Sequence, residues 1–147
     1  MVGLNLSNSW LSGTLKSNSS LFNLRHLQKL NLALNDFSSS TIPSQFGQLV
    51  SLTHLNLSYS FLSGPILLEI SWLSNLLSLD LSFNYYNSKY LNLRKIDLEA
   101  LVQNMPYLRG LHLDYMDILS SLPQSLANLS SLTSLSLSDC ILQGEFP

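Results

Sequence analysis

Charged residues are scarce in this chain of 147 residues: only 11% are Asp, Glu, Lys or Arg, whereas 46% are hydrophobic. A typical soluble domain has about a quarter of its residues charged. The formal net charge of −2 provides no basic surface for nucleic acid or for an anionic membrane. We therefore expect a folded domain with a neutral, polar surface and no nucleic-acid partner.

Cysteine pairs, long apolar runs and catalytic motifs are also missing. The single cysteine, Cys140, excludes an internal disulfide. No unbroken apolar run exceeds four residues, whereas a membrane-spanning helix needs about 20, so this segment does not itself span a membrane. The first ten residues, MVGLNLSNSW, lack the basic and apolar regions of a signal peptide.

The chain also lacks the sequence patterns of enzymes and metal sites. No HExxH, CxxC, GxSxG or glycine-rich phosphate loop occurs. His26 is expected on a short helix, and His54 and His112 on strands two repeats apart, about 10 Å from each other. That separation is too large for one metal ion. We predict no enzyme active site, no metal and no cofactor.

What the sequence has instead is an internal repeat. Segments of the form LxxLxLxxN recur six times, and the third leucine of each lies at Leu6, Leu32, Leu57, Leu81, Leu113 and Leu137. The intervals are 26, 25, 24, 32 and 24 residues. The alternation within each segment predicts a short strand, and a coil that cannot bury its own leucines must stack on a neighbour about 4.8 Å away. The repeat predicts an α/β solenoid, a right-handed curved superhelix with a parallel β-sheet on the concave face and short helices or 3-10 turns on the convex face.

Several segments carry a family resemblance. LSGPI (62–66), LQGEFP (142–147) and STIP (40–43) resemble the LxGxIP extension of plant extracellular leucine-rich repeats. The stretches 3–37 and 101–113 resemble the N-terminal ectodomain of plant receptor-like proteins, which have no kinase domain. The resemblance implies a defence-type receptor on the extracellular side of the plasma membrane. It also implies recognition of a peptide or protein ligand, with signalling through a co-receptor kinase.

Two other functions remain open at this point. One is the ectodomain of a leucine-rich repeat receptor kinase, and the other is a secreted inhibitor of pathogen wall-degrading enzymes, resembling polygalacturonase-inhibiting proteins. Solenoids protect their end leucines with polar caps, and no capping unit is recognisable here. We therefore expect residues 1–147 to be a single domain of about six repeats, a fragment of a longer ectodomain lacking both caps.

The asparagine of LxxLxLxxN normally forms a ladder of hydrogen bonds to the backbone of adjacent coils. In this chain the ladder position reads Ser9, Asn35, Ser60, Asn84, Met116 and Cys140. Serine and cysteine can each donate one hydrogen bond, but the thioether of Met116 can donate none. We expect the fifth coil to satisfy its backbone differently, and a Met116→Asn substitution to be neutral or stabilising.

The one long interval contains an insertion, NSKYLNLRKIDLEALVQNMP (87–106). Leu98, Leu101, Val102 and Met105 follow the spacing of one helix face. The pattern predicts a two-turn helix on the convex side, capped by Asp97 and ended by Pro106. We interpret the insertion as a bulge at the back of the solenoid rather than a functional element.

Candidate ligand-binding residues come from the position before the ladder residue, which reads Asn8, Leu34, Tyr59, Phe83, Tyr115 and Asp139. Exposed aromatic rows mark interaction sites, so we predict that Tyr59, Phe83 and Tyr115 anchor a partner on the concave sheet. Cross-strand packing that only stiffens the sheet is the alternative. The predicted polar frame around the row is Lys29, His54, Asp80, His112 and Asp114, with Asp80 and His112 placed to form an ion pair.

Four N-x-S/T sequons, at Asn5, Asn18, Asn56 and Asn128, are candidate glycosylation sites. Asn18 and Asn128 are expected in loops or on the back of the solenoid, where a glycan is harmless. Asn5 and Asn56 are expected on the concave strands, where glycans would shield the binding face.

Overall fold

The computed structural model describes residues 1–118 and 120–145. One strand in each coil joins a parallel sheet: β1 (Gly3–Asn5), β2 (Lys29–Asn31), β3 (His54–Asn56), β5 (Ser78–Asp80), β8 (Gly110–His112) and β10 (Ser134–Ser136). These six strands lie side by side in chain order. Their central leucines are paired in register, from Leu4 with Leu30 through to Leu111 with Leu135. The predicted solenoid and the register of its repeats are confirmed.

Short helices return each coil to the next strand. The 3-10 helices are Ser20–Asn23, Ser44–Gln48, Leu68–Trp72 and Gln124–Asn128, and the α-helix α1 is Lys95–Asn104. His26 follows the first 3-10 helix in a turn and is not part of it. Within residues 1–118 and 120–145, no helix is long and apolar enough to cross a membrane.

Helix α1 confirms the helix predicted in the insertion, but it is longer, and its cap differs. Leu98, Leu101, Val102 and Met105 are all buried. Asp97 does not cap the helix: the N-cap is Arg94, and Asp97 lies inside the first turn. There the buried Asp97 carboxylate accepts hydrogen bonds of 2.6 and 3.1 Å from the Arg94 guanidinium. The acid therefore pairs with a side chain at the helix start instead of with free backbone N–H groups.

The core is a stack of leucine columns enclosed between the sheet and the helices. The strand leucines Leu30, Leu55, Leu79 and Leu111 are at most 2% exposed, whereas Leu135 in the last coil is 42% exposed. This difference arises because a leucine of an inner coil is covered by a neighbour on each side.

A second, smaller set of strands was not predicted. It comprises β4 (Gly64–Pro65), β6 (Tyr85–Tyr86), β7 (Lys89–Leu93) and β9 (Asp117–Ile118). β7 pairs in parallel with β4 and β9, and it forms an antiparallel hairpin with β6. The hairpin turns through Asn87 and Ser88, both with positive φ, as a type I′ two-residue turn requires. Part of the insertion is therefore a strand rather than a bulge on the convex side.

Candidate ligand-binding surface

Two asparagines bind the backbone of adjacent coils, as the ladder prediction requires. The Asn84 side chain donates from Nδ2 to the carbonyls of Leu57 and Leu81, at 2.9 and 3.0 Å. Its Oδ1 accepts the N–H groups of Ser60 and Leu62 at 3.0 and 3.1 Å. Asn35 makes the same set of contacts two coils earlier, between the first and second coils.

The residues at the other ladder positions make fewer hydrogen bonds between coils than the two asparagines do. The Ser60 hydroxyl donates to the Leu32 carbonyl at 3.0 Å, and the Cys140 thiol contacts the Leu113 carbonyl at 3.0 Å. Burial raises the pKa of the Cys140 thiol, so it remains protonated and able to donate. Met116 is 1% exposed and belongs to the apolar core. The Leu113 carbonyl of its own coil is therefore bonded by Cys140 from the next coil.

Asp114 is buried among hydrogen bonds between coils, so its predicted place in the open polar frame is wrong. It is only 7% exposed, and its carboxylate accepts hydrogen bonds from the Ser136 hydroxyl and the Ser138 N–H, at 2.5 and 2.7 Å. On the other side, the Ser82 hydroxyl donates to it at 3.3 Å. Asp114 thus joins three successive coils and is not available to a ligand.

Hydrogen bonding also sets the charge state of this carboxyl. Burial by itself disfavours the charged form of Asp114, but the bonds donated by Ser136, Ser138 and Ser82 outweigh it. The pKa of Asp114 therefore lies below its ordinary value.

The remaining residues of the predicted frame lie on the concave sheet. Lys29 and His54 are paired in register on β2 and β3, and Asp80 and His112 on β5 and β8. The predicted contact between Asp80 and His112 is present, with 3.9 Å from Oδ2 to Nδ1. These four side chains line an open groove of about 630 Å³. Partial burial, followed by the charge of Lys29, lowers the pKa of His54, so its imidazole is neutral at pH 7.

The aromatic row exists, but it lies in the turns after the strands and not on the sheet. The Tyr59 and Phe83 ring centroids are 4.5 Å apart with an interplanar angle of 12°, and those of Phe83 and Tyr115 are 5.0 Å apart. Tyr59 is 48% exposed and Tyr115 37%. We call Leu34, Tyr59, Phe83 and Tyr115 the first row.

All residues at the first-row position share an unusual backbone. From Asn8 to Asp139, one residue in each coil has a φ between 51° and 60°. Only glycine, asparagine and aspartate adopt this left-handed region readily. Bulky Tyr59, Phe83 and Tyr115 therefore occupy a conformation that their side chains disfavour, and it turns their rings outward beside the sheet.

A second row was missed by the sequence reasoning. Two residues further along each coil lie Trp10, Asp36, Phe61 and Tyr85, which we call the second row. Trp10 is 92% exposed, and Phe61 and Tyr85 are 38% and 43% exposed. The two rows line one groove of about 560 Å³. The repeat itself contained the signal, because these residues recur at the position just after the ladder residue.

The β6–β7 hairpin packs against the second row. Tyr90 of β7 stacks on Tyr85 with ring centroids 4.7 Å apart. Tyr86 of the same hairpin packs edge-on against Phe61 at 5.3 Å. The hairpin therefore packs against the second-row ring of Phe61 and stacks its own second-row ring, Tyr85, on Tyr90.

Three of the four sequon asparagines, Asn5, Asn18 and Asn128, are exposed, and Asn56 is half-buried. Asn18 and Asn128 are exposed and lie outside the sheet. Asn5 and Asn56 are strand residues whose Oδ1 atoms accept hydrogen bonds from the serines of their own sequons, Ser7 and Ser58. Ser58 is buried.

Comparison with known proteins identifies the repeat. A family model described as Leucine Rich Repeat matches residues 26–49 and 51–73. Receptor-like protein 6 of Arabidopsis thaliana is 44% identical over 149 residues, covering 100% of this chain and 15% of that protein. Receptor-like protein Cf-9 of Solanum pimpinellifolium is 40% identical over 147 residues, covering 100% of this chain and 16% of that protein. The chain thus spans a small part of the length of these relatives.

Solved structures show the same fold. The leucine-rich repeat ectodomain of the membrane receptor kinase GASSHO1/SCHENGEN3 from Arabidopsis thaliana, in complex with CASPARIAN STRIP INTEGRITY FACTOR 2, has a TM-score of 0.84 and 31% identity. The match covers 100% of this chain and 16% of that chain. The Arabidopsis HAESA ectodomain in complex with an IDA peptide hormone has a TM-score of 0.75 and 28% identity, covering 93% of this chain and 21% of that chain. This chain is therefore a leucine-rich repeat protein of the type found in plant receptor-like proteins.

Proposed function

We propose that this chain is a ligand-recognition segment of a receptor-like protein on the extracellular side of the plasma membrane. It binds a peptide or protein signal, has no catalytic role, and acts in defence signalling through a partner receptor kinase. The identity to receptor-like proteins, 44% and 40%, exceeds the 31% to the receptor kinase ectodomain, which favours the kinase-less family. The complexes of the structural neighbours with peptides support a peptide or protein ligand.

The observation that carries this proposal is the stack of the exposed Tyr59 and Tyr115 around the half-buried Phe83, beside a polar concave groove. A few residues provide most of the binding energy at protein interfaces, and tyrosine and tryptophan are enriched among them. Lys29, His54, Asp80 and His112 add hydrogen-bonding groups beside them, which orient a partner. Together they form an apolar anchor with a polar margin, the usual composition of an interface.

Replacing Tyr59, Phe83 and Tyr115 together by Ala tests the proposal in the receptor that carries this segment. Because the three rings also pack against one another, the response is measured per receptor molecule at the cell surface, and we expect that normalised response to the activating signal to be lost. The matched control replaces three exposed apolar residues outside this surface, Val50, Leu68 and Trp72, by Ala. Normal signalling by the folded aromatic variant would refute the proposal.

We propose further that glycans are attached at Asn18 and Asn128, which are exposed away from the sheet. Asn5 and Asn56 lie on strands of the concave sheet, and a glycan on either would cover the polar groove. Mass spectrometry of tryptic glycopeptides from the receptor purified from plasma membranes tests this assignment. Full occupancy at Asn56 would contradict it.

A further inference from the structure

The groove between the two rows has the dimensions of an extended peptide. It crosses the first five coils, so its length is about four strand spacings, or roughly 19 Å. An extended chain advances about 3.3 Å per residue, so about six residues fit. Most of its lining side chains are aromatic or aliphatic.

Asp36 is the single charged residue among those that line the groove. It is exposed, and its backbone is fixed against the first coil by hydrogen bonds to Leu11 and Gly13 of 2.9 and 3.0 Å. Its Oδ1 accepts the Ser38 N–H at 2.8 Å. In the part of the chain that the structure describes, Oδ2 has no hydrogen-bond partner, so it remains open to a ligand.

Aromatic residues occupy the second-row position on both sides of this carboxylate. Trp10 precedes Asp36 by one coil, and Phe61 follows it by one coil, about 4.8 Å away in each direction. Aromatic faces attract cations, and the guanidinium group of arginine or the ammonium group of lysine adds an ion pair to the carboxylate. This combination of residues recognises a basic side chain.

We infer that the groove binds an extended peptide that places a lysine or arginine at Asp36 and apolar residues over Tyr59, Phe83 and Tyr115. This inference rests on the proposed function and specifies its ligand. An acidic segment is disfavoured because the lining contains a carboxylate and no cation. Over the first row a sugar ring would find no open face between Tyr59 and Phe83, because these two rings stack on one another.

The test is selection from a random heptapeptide library on phage, with the protein tethered at low density to beads. We compare the wild type with Asp36→Asn, and we use Asp139→Asn as the control, because Asp139 is exposed but does not line the groove. Peptides enriched on the wild type should contain lysine or arginine next to apolar residues. Asp36→Asn should bind them roughly two- to fivefold more weakly, the range expected for loss of an exposed ion pair, and Asp139→Asn should bind them normally.

The possible failures are distinguishable. Enriched peptides without excess basic residues, or equal binding by Asp36→Asn, would overturn the inference and leave the proposed function intact. Selection of the same peptides by the Tyr59, Phe83 and Tyr115 triple alanine variant would overturn the proposed site itself. If circular dichroism shows that Asp36→Asn is unfolded, the affinity of the wild type for the selected peptides is measured at increasing salt concentration instead. An affinity that does not depend on salt would also overturn the inference.

Discussion

The ring of Phe83 lies parallel to the ring of Tyr59, with 4.5 Å between centroids, although both residues have left-handed backbones. Such a backbone costs about 1–2 kcal/mol for a residue other than glycine. An aromatic pair stabilises by about 0.5–1.5 kcal/mol beyond its buried area. Because Phe83 also contacts Tyr115, its two pairs offset much of the backbone cost.

Alanine substitution along the first row should therefore show its largest effect at Phe83. We expect Phe83→Ala to lower the free energy of unfolding by about 2 kcal/mol, and Tyr115→Ala, which removes one pair, by about 1 kcal/mol. Urea denaturation of both single variants and the double variant measures their coupling. Additive effects would show that the rings do not stabilise one another.

The ladder hydrogen bonds of Asn84 predict a large loss of stability when its side chain is removed. Asn84→Ala should destabilise by about 3 kcal/mol, because four backbone groups of two coils lose their partner. The exposed Asn75, which donates one hydrogen bond to Val50, is the matched control, and Asn75→Ala should cost less than about 1 kcal/mol. Thermal and urea unfolding measure both values, and equal costs would contradict the ladder.

The structure predicts that Met116→Asn destabilises the protein, whereas the sequence alone predicted a neutral or stabilising effect. The carbonyls of Leu81 and Leu113 already accept hydrogen bonds from Asn84 and Cys140, and Met116 is part of the core. An asparagine amide at this position would gain few hydrogen bonds and would have to be buried in the core. We therefore expect the free energy of unfolding to fall by about 1–3 kcal/mol. A more stable variant would show that the fifth coil does lack a ladder bond.

The lowered pKa of Asp114 predicts acid sensitivity. A carboxyl with a folded pKa below its unfolded value, about 3.9, stabilises fully at higher pH and loses this contribution as the pH falls through the folded pKa. The difference in unfolding free energy between wild type and Asp114→Asn should therefore be constant above pH 5 and shrink below about pH 4. Urea denaturation between pH 6 and 2 measures it, with the exposed Asp139→Asn variant as control. A difference that grows on acidification would contradict the assignment.

Gly47 allows two 3-10 helices to approach closely. A Cβ atom on Gly47 would lie 2.6 Å from the Glu69 carbonyl oxygen, whereas one on Gly3 would meet nothing closer than 3.7 Å. We expect Gly47→Ala to destabilise by about 1–3 kcal/mol, and Gly3→Ala to be close to neutral. Calorimetric melting temperatures of the two variants test this, and an unchanged melting temperature for Gly47→Ala would contradict the packing.

The leucine spacing was sufficient to predict the sheet, its register and the core, because each coil has only one way to bury its leucines. It also predicted the buried face of α1, since Leu98, Leu101 and Met105 follow helical periodicity. The hairpin was missed because its turn, Asn87-Ser88, lacks the glycine that usually signals such a turn. The role of Asp114 was missed because it depends on serines in two other coils, which only the stacked structure brings together.

The repeat spacing also predicted part of the candidate binding site. The position just before the ladder residue in each repeat identified Tyr59, Phe83 and Tyr115. It placed them on the sheet, however, because each strand was expected to extend as far as the ladder residue. The left-handed turn at these residues ends that alternation. Trp10, Phe61 and Tyr85 repeat in the same way and were overlooked only because their column is interrupted by Asp36.

The most direct test of the account is to find which surface touches the ligand. A photo-crosslinking phenylalanine analogue is placed at Tyr59 or, separately, at Trp72 on the opposite side; the two side chains are 48% and 54% exposed, so their accessibility is matched. Cells bearing the receptor that carries this segment are treated with a preparation that activates it, and then irradiated. We predict an adduct at Tyr59 that appears only with the activating preparation, and none at Trp72. Adducts at Trp72 alone, or none at Tyr59 despite an active receptor, would contradict recognition at the aromatic rows.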